Sequence, residues 1–408
     1  MANSTLSRTQ VAGNRTTFTF SAWVKRSKLG SYQMILSTGT DGTYRTQLAW
    51  HEDDIIQFYN NDNNVNMELK TNRKFFDTNA WYHIVLRFDT TQGTAADRIR
   101  LYVNGEQETS FSTATYPPQG NDSTMFNKNG NTVKIGSTAY ASSNFFEGYM
   151  SHAVFVDGAS LAPTSFGSTD STSGIWKFKS PSGLTFGNNG YHLKFENSGN
   201  MGLDSSGESH NFTAAGDLTQ ALDTPSNVHA TLNPLNPADN KTISKGGNRI
   251  VGSNASNYSM SITSTLAANT GKWYWEVKYT SANSNTNPCV GAVKTENYEY
   301  NQNITSGTGG YVNMRFDGYS FINNNSADLG LSGVPQAGDI IMAAMDLDNG
   351  KMWLGTNGTW YTTGGGVGNP ATGAYPTFTT SDLTDGTWTP VIRYLAGTFD
   401  CNFGNGVF

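Results

Sequence analysis

Apolar and polar residues alternate at every second position through long stretches of this chain, and no segment of ten or more residues carries a convincing helical period. Phe18, Phe20, Ala22 and Val24 alternate with Thr17, Thr19, Ser21 and Lys25. Successive strand side chains point to opposite faces, so this predicts a strand with one buried and one solvated face. Tyr82, Ile84, Leu86 and Phe88 repeat the pattern against His83, Arg87 and Asp89. Ile99, Leu101 and Val103 follow, with Asn104-Gly105 supplying a hairpin turn. Val133-Lys134-Ile135 and Met150 to Val156 extend the set. In the second half, Trp273, Trp275, Val277 and Tyr279 alternate with Tyr274, Glu276 and Lys278. Tyr311 to Phe316 and Tyr319 to Ile322 flank the turn signal Asp317-Gly318. Ile340 to Met345 is continuously apolar, which predicts a strand covered on both faces. Asp348-Asn349-Gly350 then turns the chain into Met352, Trp353 and Leu354. The predicted fold class is all-β.

At about 150 residues per domain, 408 residues predict two to three domains, each large enough to bury its own core. Charged residues make up only 14% and aromatics 12%, and Gly numbers 44, a mixture of turn formers and strand-favouring rings that argues against disorder. The stretch 167–230 differs from its flanks. It carries Ser168-Thr169-Asp170-Ser171-Thr172-Ser173-Gly174, two short aromatic runs, Ile175 to Phe178 and Tyr191 to Phe195, and then Pro225, with Pro234 and Pro237 just beyond it. The expected organisation is two antiparallel jelly-roll-type β-sandwiches in tandem, 1–166 and 231–408. The irregular segment 167–230 is expected to join them and to pack on a neighbouring domain.

Composition excludes several function classes. With net charge −6 and no Lys/Arg run, phosphate binding and hence nucleic acid are not expected. The longest apolar run is too short for a bilayer, and the opening Met1 to Leu6 has neither a basic nor an apolar region, so neither a membrane span nor a signal peptide is expected. Cys289 and Cys401 are too far apart in sequence to form a zinc motif or a disulfide framework, and are read as buried free thiols. The histidines His51, His83, His152, His192, His210 and His229 show no metal-ligand spacing, and His83 and His152 read as strand-face residues. No Gly-x-Ser-x-Gly elbow or phosphate loop occurs, and Gly364 to Gly368 reads as a flexible loop. Glycan hydrolysis requires two carboxylates flanking the bond. Glu52-Asp53-Asp54 are consecutive, splay to both faces of a strand and read as a solvated turn. The expectation is a protein that is not an enzyme and uses no cofactor.

Two resemblances rest on these segments. Phe20-Ser21-Ala22-Trp23-Val24-Lys25, Trp81 to Val85, Leu101-Tyr102-Val103-Asn104-Gly105, Ile135-Gly136 and Phe145 to Met150 together resemble the laminin G-like, concanavalin-type jelly-roll family across 18–166. Gly271 to Val277, Val290 to Val293, Gly338 to Ile341, Asp346 to Lys351, Thr356 to Thr359 and Cys401 to Gly404 resemble the SPRY family across 231–408. The two modules in tandem are similar to structural and fibre-like proteins of tailed bacteriophages. Leu203 to Gly207, Asn211-Phe212-Thr213 and Asp223 to Asn227 look like the stretch between such modules. The resemblance implies a virion structural protein on the outer surface, a tail fibre or capsid decoration. It would attach through its domain surfaces or the arm Met1 to Asn14. The laminin G-like resemblance also makes calcium a candidate, with Asp41, Asp62 and Asp89 as possible ligands, although no motif fixes them.

Recognition is expected at two loops of the second half that mix aromatics with small polar residues. One holds Tyr298, Tyr300, Asn301, Asn303 and Tyr311; the other holds Trp360, Tyr361 and Tyr375. Tyr and Trp give large contact area at low entropic cost, and Asn and Ser adapt their hydrogen bonds. The expected partners are other virion proteins, further copies of the chain, with a trimer as one arrangement, and a host-surface glycan or receptor. A lectin-like binding protein and a polysaccharide depolymerase are the alternative functions.

Overall fold

The alternating segments fold as strands in the computed structural model, which describes residues 3–63, 65–236, 241–253, 261–281, 288–298, 310–323, 325–329, 335–362, 367–394, 396–406 and 408. The protein is all-β, and its described helical turns are 3-10 pieces of three or four residues. The chain divides into two sandwich-like units, Met1–Val228 and His229–Phe408.

The first unit pairs an eight-stranded with a six-stranded antiparallel sheet. The six-stranded sheet runs Tyr191–Leu193, Gly148–Asp157, Thr17–Arg26, Tyr82–Asp89, Ile99–Val103, Glu106–Gln107. The predicted apolar face of Thr17–Arg26 lies inward. Phe18 stacks at 4.7 Å on Phe88 and at 5.3 Å on Phe155, and Phe20, Ala22 and Val24 join the same core. Burying each ring contributes roughly 1.5–3 kcal/mol.

The other face of that strand departs from the expectation of solvent. Thr19, Ser21 and Lys25 are buried too, because parts of 158–228 return over the outer face of the six-stranded sheet: Thr19 donates to the Ala159 carbonyl, Trp176 covers the His83 that meets Ser21, and Asp223 meets Lys25. Val85, Tyr102, Val154 and Val156 meet Phe166 and Phe186 there in a second apolar cluster. A two-stranded ribbon, Gly167–Thr169 with Trp176–Phe178, continues the cover. Tyr191–Leu193 extends the six-stranded sheet, and Thr213–Ala215 pairs with Thr5–Thr9 in the eight-stranded one, with Phe212 in the core. Residues 167–228 therefore build the first unit.

Two further expectations are corrected. Thr5–Thr9 is no free arm: it lies between Thr132–Ile135 and Thr213–Ala215 in the sheet, with Leu6 in the core and the Gln10 side chain bonded to Thr38 and Met125. Nor is Asp54 in a solvated turn. It adopts φ 62° after a turn closed by Asp54 N–H on the His51 carbonyl, and its carboxylate receives Arg26 at 2.8 Å and the Gly30 N–H. A fully buried Arg26 needs that partner, since an unpaired charge out of water is costly.

The second unit faces two antiparallel sheets across one core. The larger runs Lys241–Ser244, Arg249–Gly252, Thr398–Asn402, Lys272–Ser281, Ile340–Asp346, Lys351–Thr356, Thr359–Trp360, with Phe378–Thr379 also on Lys351–Thr356. The smaller runs Ser261–Thr263, Trp388–Arg393, Cys289–Lys294, Tyr311–Arg315, Tyr319–Ile322, Asn325–Asp328. Ile340–Asp346 is buried on both faces after its first residue, as its apolar run implies.

Candidate functional site

The aromatic residues of the second unit separate into two groups. Tyr311 lies within a strand and is fully buried among Cys289, Val293, Phe321 and Val391. Tyr298 packs on the same cluster, and its hydroxyl donates to the Ser261 carbonyl at 3.0 Å. Burial pushes its phenol pKa up. Both rings are held by the outer face of the smaller sheet and are structural, contrary to the expectation that they present a binding loop. Tyr300 and Asn301, with Asn303, lie outside the described residues.

The second group gathers on the outer face of the larger sheet. Register places Tyr274 beside Ala344 and Trp353, and Glu276 beside Met342, Gly355 and Trp360. The Asn357-Gly358 turn, with Asn357 at φ 50°, brings Trp360 back across Gly355. A side chain at Gly355 would meet the Thr359 carbonyl oxygen at 2.3 Å, so only glycine allows this close return. Trp360 then meets the Tyr274 ring edge-on at 6.2 Å. The Tyr274 hydroxyl donates to Glu276 Oε1 at 2.6 Å, and Asn402 Nδ2 reaches Oε2 at 3.4 Å. Burial and then this bond raise the Tyr274 pKa, so the phenol stays protonated and the ring stays oriented.

A loop closes one side of this surface. Trp353 Nε1 donates to the Ala374 carbonyl at 2.8 Å and Lys351 Nζ to the Gly373 carbonyl at 3.0 Å. Gly368 lies between the Trp360 Cβ and the Tyr375 carbonyl. Tyr375 follows in a left-handed conformation, φ 45°, and is 58% exposed. Tyr361 turns the other way, onto the core. Of the expected residues, then, Trp360 lies on this outer face, and Tyr375 is exposed on the loop beside it. Tyr274, 51% exposed, and Glu276 complete the face. The sequence signal for Tyr274 was present, an aromatic on the polar side of an alternating strand.

The first unit contains several groups that could be chemically active, each held in a structural role. Ser21 Oγ lies 2.8 Å from His83 Nε2. Trp176 donates its indole N–H to His83 Nδ1 at 2.9 Å, so Nδ1 is the acceptor and the neutral ring carries its proton on Nε2. His83 therefore donates to Ser21 and cannot take its proton. Trp23 and Trp176 stack on the ring's neighbourhood at 4.8 and 5.9 Å, and burial pushes the His83 pKa down to about 3. His152 sits at a bulge with φ 50°, stacks on Phe178 at 3.7 Å and lies 3.3 Å from His192. Burial lowers both imidazoles to about 4. In the second unit burial pushes the Cys289 thiol up to about 12 and raises Cys401 as well, away from the reactive thiolate.

Asp41 and Asp89 each accept backbone N–H groups of their own turns, and Asp62 accepts the Val65 N–H. Among the described residues no three His, Cys, Asp or Glu side chains converge as a metal site. No described helix is long and apolar enough to cross a membrane.

Residues 2–164 match the sequence family described as the concanavalin A-like lectin/glucanases superfamily, in its laminin G form. Similar solved structures include the SPRY domain of human HERC1, at 16% identity over 42% of this chain and 98% of that one, TM-score 0.32. The PSpry domain of TRIM65 is similar at 17% identity over 43% of this chain and 92% of that one, TM-score 0.32. A putative carbohydrate binding protein from Bacteroides ovatus is similar at 18% identity over 55% of this chain and 59% of that one, TM-score 0.37. No curated protein matches the chain.

Proposed function

We propose that the protein is a non-enzymatic structural protein of a tailed-bacteriophage virion, displayed on the particle's outer surface, and that its second unit recognises a host-surface glycan. The observation that carries the recognition role is the Tyr274–Trp360 pair, an exposed and a half-buried ring on a sheet face beside a carboxylate already held by hydrogen bonds. Sugar rings offer apolar C–H faces ringed by hydroxyls. Aromatic rings receive the faces, and Glu276 accepts from the hydroxyls. The sheet fixes both, so little ordering entropy is lost on binding.

The non-enzymatic reading is supported by the fate of the reactive groups. Ser21 faces a histidine in the wrong tautomer, and both thiols are buried. The virion setting rests on the tandem of a laminin G-like and an SPRY-like module. A low charge content supports contacts with virion proteins and further copies of the chain, since few charged groups need desolvating.

Immunogold labelling of intact, salt-washed phage particles tests the setting. Label on tail fibres or capsid is the expected result, and absence of the protein from washed particles overturns it.

A further inference from the structure

Three groups suited to acyl transfer meet under the covering segment of the first unit. Lys25 stands on the outer face of Thr17–Arg26, and its side chain and that of Asp223 are wholly withdrawn from solvent. Lys25 Nζ lies 2.7 Å from Asp223 Oδ2 and 3.1 Å from Asn79 Oδ1. The amine is thus in hydrogen-bond contact with a carboxamide, one bond from the carbon it would attack. Trp81 Nε1 holds the other Asp223 oxygen at 2.8 Å, and the Tyr149 ring lies 5.5 Å from Nζ. The turn bearing Asn79 is itself fixed, because Asp77 accepts the backbone N–H groups of Asn79 and Ala80.

This is an expensive place for an ammonium ion. Withdrawing both charges of an ion pair from water is costly, and neutralising the pair relieves that cost. Burial lowers the Lys25 pKa, which favours the neutral amine. The result is an amine and a carboxyl group beside a carboxamide, held in one geometry by the sheet, the turn and the covering segment. Such positioning is what accelerates an intramolecular reaction.

We propose that Lys25 and Asn79 become joined by an intramolecular amide bond, with Asp223 as the proton carrier. The Nζ lone pair attacks Asn79 Cγ, and its electrons displace the carbonyl π pair onto Oδ1. Asp223, having taken the proton that frees the Nζ lone pair, delivers it to Nδ2 and takes the next one from Nζ. The Cγ–Nδ2 bond breaks as the carbonyl re-forms, and ammonia leaves. A secondary amide replaces a primary one, Asp223 is regenerated, and no oxidant or cofactor is consumed. Asn79 is only half-buried, which gives the ammonia an exit. The bond would cross-link residues 54 positions apart in a protein whose two cysteines are free thiols.

Intact-mass spectrometry of the purified full chain, followed by peptide mapping, tests this. The expected mass is that of the sequence less one ammonia, with a branched peptide joining Lys25 and Asn79. Asp223→Asn and Lys25→Met are expected to show the full sequence mass, with retained β-sheet circular dichroism as the check on folding. Asn79→Asp is expected to lose one water instead, at the same branch point, and this rescue does not depend on a disruptive variant. A wild-type chain at full sequence mass overturns the proposal. So does an ammonia loss mapped to an Asn-Gly succinimide, or a water loss mapped to a Lys25–Asp223 bond.

Discussion

Trp176 and His83, 93 positions apart, share a hydrogen bond of 2.9 Å from the indole N–H to Nδ1. That bond sets the imidazole's tautomer, turns Nε2–H toward Ser21, and fastens the covering segment to the sheet. One contact thus closes a face that is expected to be open from its local sequence, and it removes a Ser–His pair from chemistry.

The three covered imidazoles make the first unit sensitive to acid. His83, at about 3, and His152 and His192, at about 4, all lie below the ordinary value of 6.5, with burial the leading cause. The unfolded chain therefore binds more protons between 6.5 and these values. Their contribution to stability is intact above 6.5 and falls as the pH drops through that window. Denaturant titrations at successive pH values, with hydrogen exchange read in residues 1–228, are expected to show this loss. Protection unchanged down to the lower values would contradict it.

Gly167 is expected to be intolerant of a side chain. A Cβ there would lie 2.4 Å from the Trp176 ring, which cannot retreat without giving up His83. Gly167→Ala is expected to cost about 1–3 kcal/mol, the usual range for overpacking. It should also raise the His83 pKa as water reaches the ring. Chemical denaturation and imidazole NMR measure the two effects.

Asp54→Ala leaves the Arg26 guanidinium buried with the Phe75 carbonyl as a remaining partner and the Trp50 ring 4.9 Å away. Breaking a buried pair from one side typically costs about 3–5 kcal/mol. Asp54→Asn keeps an acceptor and suits φ 62°, so it is expected to cost less. Denaturation midpoints of the two variants give the order.

What could be read in the sequence follows from range of interaction. Phe18, Phe20, Ala22 and Val24 announce a buried face because strand geometry alone sets their direction. Lys25 gives no such notice. Its cover is Asp223, 198 positions away, and no local pattern encodes that meeting. Tyr311 and Tyr298 look like loop aromatics beside Asn and Gly, yet a sheet face claims both. Trp360 and Tyr375 stand out in the sequence through their loops, whereas Tyr274 and Glu276 come beside Trp360 only through strand register.

The outer face of the larger sheet in the second unit is proposed to bind glycan. A glycan array probed with the full chain and with Tyr274→Ala and Trp360→Ala tests it directly. Tyr274 is half exposed and Trp360 lies at the sheet edge, so the variants are expected to stay folded. Binding of the full chain to a defined set of host-surface sugars, lost by at least about tenfold, or about 1.4 kcal/mol, in each variant, is the predicted result. No binding by the full chain, or equal binding by all three proteins, would contradict the claim.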